Sequence, residues 1–195
     1  MKHYFCLLLL LSLSAQTRAQ EAVSSALDTK KNEFRIDVLA LTGLITQKAS
    51  FSYERFFQGD FSVGINANFS SSNNLTEDFD RGYRNNSPKY EFNPYVRYAL
   101  SKSKSRYYFA EIFASYNGGD YKEIVRLIDE NVNGYYTTKK SQYTDFGLGG
   151  GLGYKMYIKE AFAIEFLVGF GSNLTNREKS PDVISRVGLN VGYRF

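Results

Sequence analysis

The sequence predicts an all-β chain, an eight-stranded antiparallel up-and-down barrel, from three observations. Apolar and polar residues alternate with period two in eight separate stretches. Over the six clearest of these, one face carries no charge, while the other collects acids, bases, amides and glycines. The connections alternate short and long, as in a meander that crosses a layer back and forth.

The chain begins with a segment that lies outside the barrel. Lys2 and His3, an apolar run over residues 4–13 and the exit Thr17-Arg18-Ala19 read as a secretory signal peptide over residues 1–19, cleaved before Gln20. That run is too short for a membrane-spanning helix, and no other stretch approaches the roughly 20 apolar residues one needs, so membrane insertion must be by strands. Export removes Cys6 and His3, the single cysteine and the single histidine. The mature chain then has no thiol, disulfide or imidazole, which excludes Cys-His and Ser-His-Asp catalysis, zinc sites built on His or Cys and haem ligation by His. No cofactor and no metal are expected. Loss of Lys2 and Arg18 lowers the formal charge from +4 to about +2, too little to argue for nucleic acid. About 175 residues remain, enough for one domain. Tyr, Phe and Gly at 16 each against 3 Pro suit β-structure with aromatic girdles at membrane interfaces.

Residues 20–32 read as a short polar leader on the periplasmic side, and 33–195 as the barrel. Strands are predicted over 33–41, 48–57, 61–70, 90–100, 107–117, 143–157, 162–172 and 183–195, most of them near the 9–11 residues of a tilted membrane strand. The first is irregular, because Leu39 and Leu41 share a face with Arg35 and Asp37. In the second, Arg55 falls on the outer face, where headgroup level would suit it. The third puts Phe61, Val63, Ile65, Ala67 and Phe69 outward and Ser62, Gly64, Asn66 and Asn68 inward. The fourth contains Pro94, which cannot donate to a ladder and predicts a local bulge. The sixth carries the row Gly147, Gly149, Gly151, Gly153 on its inner face. The last places Val187, Leu189, Val191, Tyr193 and Phe195 outward and should pair with the first near 34–40 to close the barrel.

An eight-stranded barrel has a narrow interior filled by side chains, and a charge facing lipid at mid-depth costs about 2–4 kcal/mol. The uncharged, bulky face therefore belongs outside and the smaller polar face inside. A soluble lipid-binding barrel would reverse the two.

Gln58-Gly59-Asp60, residues 101–105 and the turn around 158–161 are the short connections; 71–89, 118–142 and 173–182 are long and polar, and 43–47 is a brief outer one. Within 118–142, Asn133-Gly134 is a hairpin signal. Face parity requires an odd loop, predicting a three-residue turn at Val132-Asn133-Gly134 with Gly134 left-handed, on a hairpin that protrudes beyond the membrane. The alternative is a short helix over 121–130, where Ile124, Leu127 and Ile128 fall at helical spacing.

The segments SYERFF, GINANF, FNPYVRY, GLGGGLGYKMYI and GLNVGYRF, the last ending on Phe195, resemble the small eight-stranded outer-membrane barrels of the OmpA transmembrane-domain and OmpX type. The resemblance implies a cell outer-membrane location in a Gram-negative envelope, neighbouring lipids and lipopolysaccharide, and recognition of the terminal strand at Phe195 by the barrel-assembly machinery. It implies no single activity, because that architecture hosts many.

Two groups of residues are candidates for function. Glu54, Arg97, Glu111, Lys155, Glu165, Arg186 and Arg194 should meet in the lumen as a salt-bridge network, since buried charges persist only when paired; Arg186 lies within expected reach of Glu165. The same set could instead serve a proton or ion path. The glycine row makes space for Tyr95, Tyr107, Phe109 and Phe113, or opens a pocket for an acyl chain. Tyr121, Tyr135, Tyr136, Lys139 and Lys140 on the long outer connection could contact a protein partner or anionic sugars. The resulting expectation is a monomeric, non-enzymatic outer-membrane barrel with a plugged lumen, serving envelope integrity or surface interaction. A lipid-modifying enzyme, a narrow pore and a soluble periplasmic lipid-binding barrel are the alternatives.

Overall fold

The computed structural model describes residues 26–42, 48–57, 59–70, 73–101, 103–128 and 134–195. The signal peptide, the first part of the leader, the 43–47 connection, Gln58, Val132 and Asn133 lie outside them. The alternating stretches fold as β1 (Asn32–Asp37), β2 (Lys48–Phe56), β3 (Phe61–Ser70), β4 (Asn86–Ala99), β5 (Arg106–Ile128), β6 (Gly134–Ile158), β7 (Phe162–Asn173) and β8 (Val183–Arg194). Each strand binds the next, and β1 binds β8, closing an antiparallel up-and-down barrel. The closing register runs from Glu33 opposite Arg194 to Asp37 opposite Asn190. Closure satisfies the backbone groups that an open sheet would leave bare at its edges.

β1 is shorter than the predicted 33–41. After Asp37 the chain makes a helical turn, α1 (Val38–Thr42), because the Asp37 carboxylate accepts the Ala40 N–H at 3.1 Å and so caps it. That turn explains why Leu39 and Leu41 break the strand's alternation. A second helix, α2 (Asn73–Asp80), lies in the β3–β4 connection.

β5 and β6 extend well past their predicted ends, pairing from Arg106 with Met156 to Ile128 with Gly134. The protruding hairpin is therefore present, and pairing over Tyr121–Ile128 overturns the helical alternative. Gly134 is a strand residue opposite Ile128 and not the left-handed turn residue expected; Val132 and Asn133 lie outside the described residues. Aromatic and β-branched residues in Tyr135-Tyr136-Thr137-Thr138 favour pairing, and Glu123 sits across from Lys139, a favourable cross-strand charge pair.

The predicted bulge at Pro94 is absent. Pro94 pairs with Ile65 on β3, and on its β5 side the register is the same before and after it. The irregularity in that ladder falls between Pro88 and Tyr90.

The outer wall is apolar, and its aromatic rings gather at two levels. Phe61 meets Tyr98 at 4.9 Å, Tyr108 meets Tyr154 at 4.9 Å and Phe162 meets Tyr193 at 5.4 Å near the end where β1 begins and β8 finishes. Near the other end Phe69 meets Phe92 at 5.8 Å and Tyr90 meets Tyr116 at 6.1 Å. Between them lie aliphatic residues such as Val63, Ile65, Val96, Ile112, Leu152 and Val168, all exposed. From Phe61 to Phe69 the wall spans about 26 Å along the strand, or roughly 20 Å along an axis crossed at ~40°. This face arrangement is the reverse of a soluble lipid-binding barrel.

Inside, the terminal end is filled by Tyr107, Phe109, Tyr157, Ala163 and Leu167, with Leu27 from the leader buried among them. The glycine row makes this packing possible. A Cβ on Gly153 would lie 2.6 Å from Phe109 Cε1 and from the Phe166 carbonyl, and one on Gly149 would strike the Phe113 ring, so ring volume occupies the space an acyl chain would need.

Gly153→Ala should destabilise the refolded barrel by about 1–3 kcal/mol through overpacking. Gly150→Ala, whose Cβ would meet only the Glu111 carbonyl at 3.4 Å, should stay near wild type. Urea unfolding in detergent micelles compares the two.

Candidate functional site

Above the aromatic floor, the inward positions of the strands bring acids and bases into one cluster. Arg35, Arg97, Lys155 and Arg186 face Glu33, Glu54, Glu111 and Glu165, one base for each acid. The register does part of the work, setting Arg97 directly across from Glu111 and Lys155 across from Glu165. It also sets Glu33 across from Glu54, a like-charge pair that would be unfavourable alone. Arg35 ion-pairs with both of these acids. Lys155 Nζ reaches them at 2.7 and 2.9 Å and Glu165 at 3.1 Å.

Arg97 completes the centre. Its Nη1 lies 2.9 Å from Glu54 and 2.6 Å from Glu165, and its Nε donates to Glu111 at 2.7 Å. The guanidinium also stacks on Phe109 at 4.2 Å and Tyr95 at 4.5 Å, an added attraction for a desolvated cation. Hydroxyls and an amide fill remaining acceptor sites: Ser62 donates to Glu54 at 2.5 Å, Tyr157 to Glu33 at 2.5 Å and Asn190 to Glu165 at 3.1 Å. Glu33, Glu54 and Glu165 present oxygens within 4.8 Å of one another, a spacing that suits a cation. Arg35 and Lys155 each contact all three, so the protein's own cations occupy that position.

Of the seven lumen residues named from the sequence, Glu54, Arg97, Glu111, Lys155 and Glu165 form the centre of this cluster. Arg186 joins it through Glu111 on β5, not through the expected Glu165, because Gly169 is the β7 residue opposite it. Arg194 is a correction: it makes no ion pair among the described residues. It donates to the carbonyls of Lys30 and Leu27 at 2.8 and 2.9 Å and to the Tyr157 hydroxyl at 3.0 Å, and stacks on Phe56 at 3.6 Å. It thus fastens the leader across the terminal mouth. Sequence reasoning missed Glu33 and Arg35, although Glu33, Arg35 and Asp37 alternate with Phe34 and Ile36. It also missed Leu27, an isolated apolar residue in a polar leader.

The hairpin residues separate by face. Strand parity puts Tyr121, Tyr135 and Lys139 on one side and Tyr136 and Lys140 on the other. Tyr135, Tyr136, Lys139 and Lys140 are exposed and Tyr121 is half-buried. The base of the hairpin is tied to the β3–β4 connection. Lys89 and Lys140 lie 2.9 and 3.0 Å from Asp120, and Phe79 of α2 is buried with Lys122 and Lys140 at 4.7 and 5.3 Å from its ring. Burial opposes the charge on Asp120, but hydrogen bonds from Lys89 and Lys140 outweigh it and hold its carboxyl below the usual aspartate range.

Wall, plug and hairpin define a closed β-barrel turned inside out, apolar without and ionic within. The chain belongs to the family described as Protein of unknown function (DUF3575), whose profile matches residues 39–193. No curated protein matches. Among solved structures, the chain is similar to the N-terminal β-barrel domain of Pseudomonas aeruginosa OprF at 12% identity and TM-score 0.48, over 85% of this chain and 98% of that one. It is also similar to the Yersinia pestis attachment invasion locus protein Ail in its crystal structure, at 12% identity and TM-score 0.40, over 85% of this chain and 94% of that one. At these values the likenesses bear on no function.

Lys155→Met should cost about 3–5 kcal/mol in urea unfolding, because it leaves the buried cluster with one uncompensated negative charge. Asp120 tests the hairpin. Its depressed carboxyl contributes stability that is present above the unfolded-state value and lost as pH falls through the folded one. Protection of α2 and the hairpin base against hydrogen exchange should therefore weaken on acidification, and Asp120→Asn should abolish that dependence.

Proposed function

We propose that the protein is a non-enzymatic integral outer-membrane barrel, monomeric, with a sealed lumen, which supports the envelope and presents the β5–β6 hairpin for surface contact. The carrying observation is the apolar wall between two aromatic girdles, on which Arg55 appears only beside the first residue of β1, Asn32, at 3.2 Å, around a balanced set of buried charges. A bilayer asks for that wall, and water does not. The start of β1 and the end of β8 then lie on the periplasmic side and the hairpin projects outward.

Every carboxylate of the plug is engaged by a cation, which argues against acid–base turnover there and against an ion path through the centre. Phe195 is exposed beside Tyr193, with ring centroids 6.3 Å apart, a terminal aromatic pair available to the assembly machinery. Lipids and lipopolysaccharide surround the wall in this reading. Exposed Ile124, Ile128 and Tyr136 on the hairpin favour a protein partner for the contact surface.

The test expresses the full chain in a Gram-negative host and separates the membranes. The protein should be found in the outer membrane, resist alkaline carbonate extraction, show heat-modifiable mobility on SDS gels and stay silent in planar bilayers. Recovery from the soluble periplasm would sink the membrane reading, and steady single-channel conductance would overturn the sealed lumen.

A further inference from the structure

The seam that closes the barrel is zipped only in its lower half. β1 pairs with β8 from Glu33 to Asp37, yet β8 runs on beyond Asn190 to Val183 with no strand beside it. Asn32 and Phe195 exchange both backbone bonds, which fixes the odd-numbered residues of β8 as those whose N–H and C=O groups face the seam. Above the last pair these are Leu189, Val187, Ser185 and Val183. The Leu189 N–H donates to the Asp37 carboxylate at 3.3 Å. On the seam side the other three meet no backbone partner among the described residues.

Between the ionic plug and the loop end, the barrel holds a vestibule of about 280 Å³. Its lining includes Val183 to Gly188 in unbroken sequence, inward and outward residues alike, because the cavity reaches the bare edge of β8. Asp37 and Ala40 border it there, with Lys48 and Ser50 of β2 beyond them. Unpaired backbone is tolerated in an apolar wall where it lines such a polar cavity.

The segment that leaves β1 at this point carries the pattern of the missing strand. Continued past Asp37, the β1–β8 register sets Val38 opposite Leu189, Leu39 opposite Gly188, Ala40 opposite Val187, Leu41 opposite Arg186 and Thr42 opposite Ser185. Val38, Ala40 and Thr42 then extend the uncharged wall. Leu39 and Leu41 turn inward, one toward a glycine, the other toward an arginine already drawn onto Glu111 and the Phe113 ring. Instead the segment forms α1, five residues with none of them buried, far shorter than a helix that is stable by itself. Asp37 holds its start, accepting the Ala40 N–H at 3.1 Å as a cap and the Leu189 N–H in place of a strand. A Cβ on Gly188 would strike that carboxylate.

We propose that Val38–Thr42 is a two-state closure of the seam. As a helical turn it leaves the vestibule open at the side of the wall; as a strand it zips onto β8 and fills the vestibule with Leu39 and Leu41. Asp37 is the latch of the open form. In the strand form Val38, Ala40 and Thr42 present backbone donors and acceptors to Leu189, Val187 and Ser185. The device rests on the barrel and its register, and not on where the protein resides.

Disulfide trapping tests it. The chain from residue 20 onward contains no cysteine, so Ala40→Cys with Val187→Cys introduces one pair, which the strand form brings to a spacing of about 5.5 Å between Cα atoms, within disulfide reach. The protein is refolded in detergent micelles and the rate of bond formation under a mild oxidant is measured. Asp37→Ala removes the latch and should speed the bond by about fivefold or more, the ordinary worth of a lost cap. Val38→Pro suits the first position of a helix and cannot donate to Leu189, so it should slow the bond at least as much. Once the bond has formed, the Ser185 N–H should become protected against hydrogen exchange. Val191, paired with Ile36, should stay protected in every variant and reports that the lower seam is intact. An unchanged rate in Val38→Pro, or in Asp37→Ala with Val191 protected, would overturn the closure, as would a joined protein whose Ser185 exchanges as before. Should Asp37→Ala not refold, Val38→Pro and the exchange of Ser185 decide the matter.

Discussion

Desolvated charge inside the barrel is the constraint on which the rest depends. Glu33 and Glu54 face one another across β1 and β2 and are tolerable only because Arg35 and Lys155 bridge them. Lys155 comes from β6, on the far side of the sequence, so the first hairpin is not electrostatically complete until the wall has curled round. The same constraint polices register. A one-residue slip in β6 would turn Lys155 onto the apolar outer wall and bring Tyr154 into the lumen, leaving the acids of the cluster a base short. Charge balance and strand pairing therefore select the same arrangement.

Packing volume is distributed by a complementary rule. Large rings on β4 and β5 project toward glycines elsewhere in the wall, Phe109 toward Gly153, Phe113 toward Gly149 and Tyr95 toward Gly64. These rings also provide faces for Arg97 and Arg186. The glycines thus act on the charges indirectly, by letting aromatic faces approach the guanidiniums that the acids alone would leave partly unsolvated.

Much of the wall was readable from sequence because a strand's side-chain period is two and the charged residues keep almost wholly to one face. β3 was placed at both ends, and β7 and β8 to within one residue at each end. What failed was decided by information that period cannot carry. The end of β1 depends on a cap formed by Asp37, and the place of Gly134 in a strand on a register established along β5 and β6. Pro94 was tolerated without a bulge because its missing N–H leaves the neighbouring register intact. In the lumen, alternation told which residues point inward but not which meet across it. Arg186 finds Glu111 from a strand three places away, and Arg194 turns to backbone carbonyls of the leader.

That last contact links the leader to the last strand. Arg194 stands beside Glu33 only when β8 has zipped onto β1, and only then are its N–H groups in place to hold Leu27 and Lys30. Seating of the leader therefore draws on the closed seam, since Arg194 of β8 holds it beside β1. Leu27 works as a seal of completion, buried when the cylinder is whole and wetted when it is not.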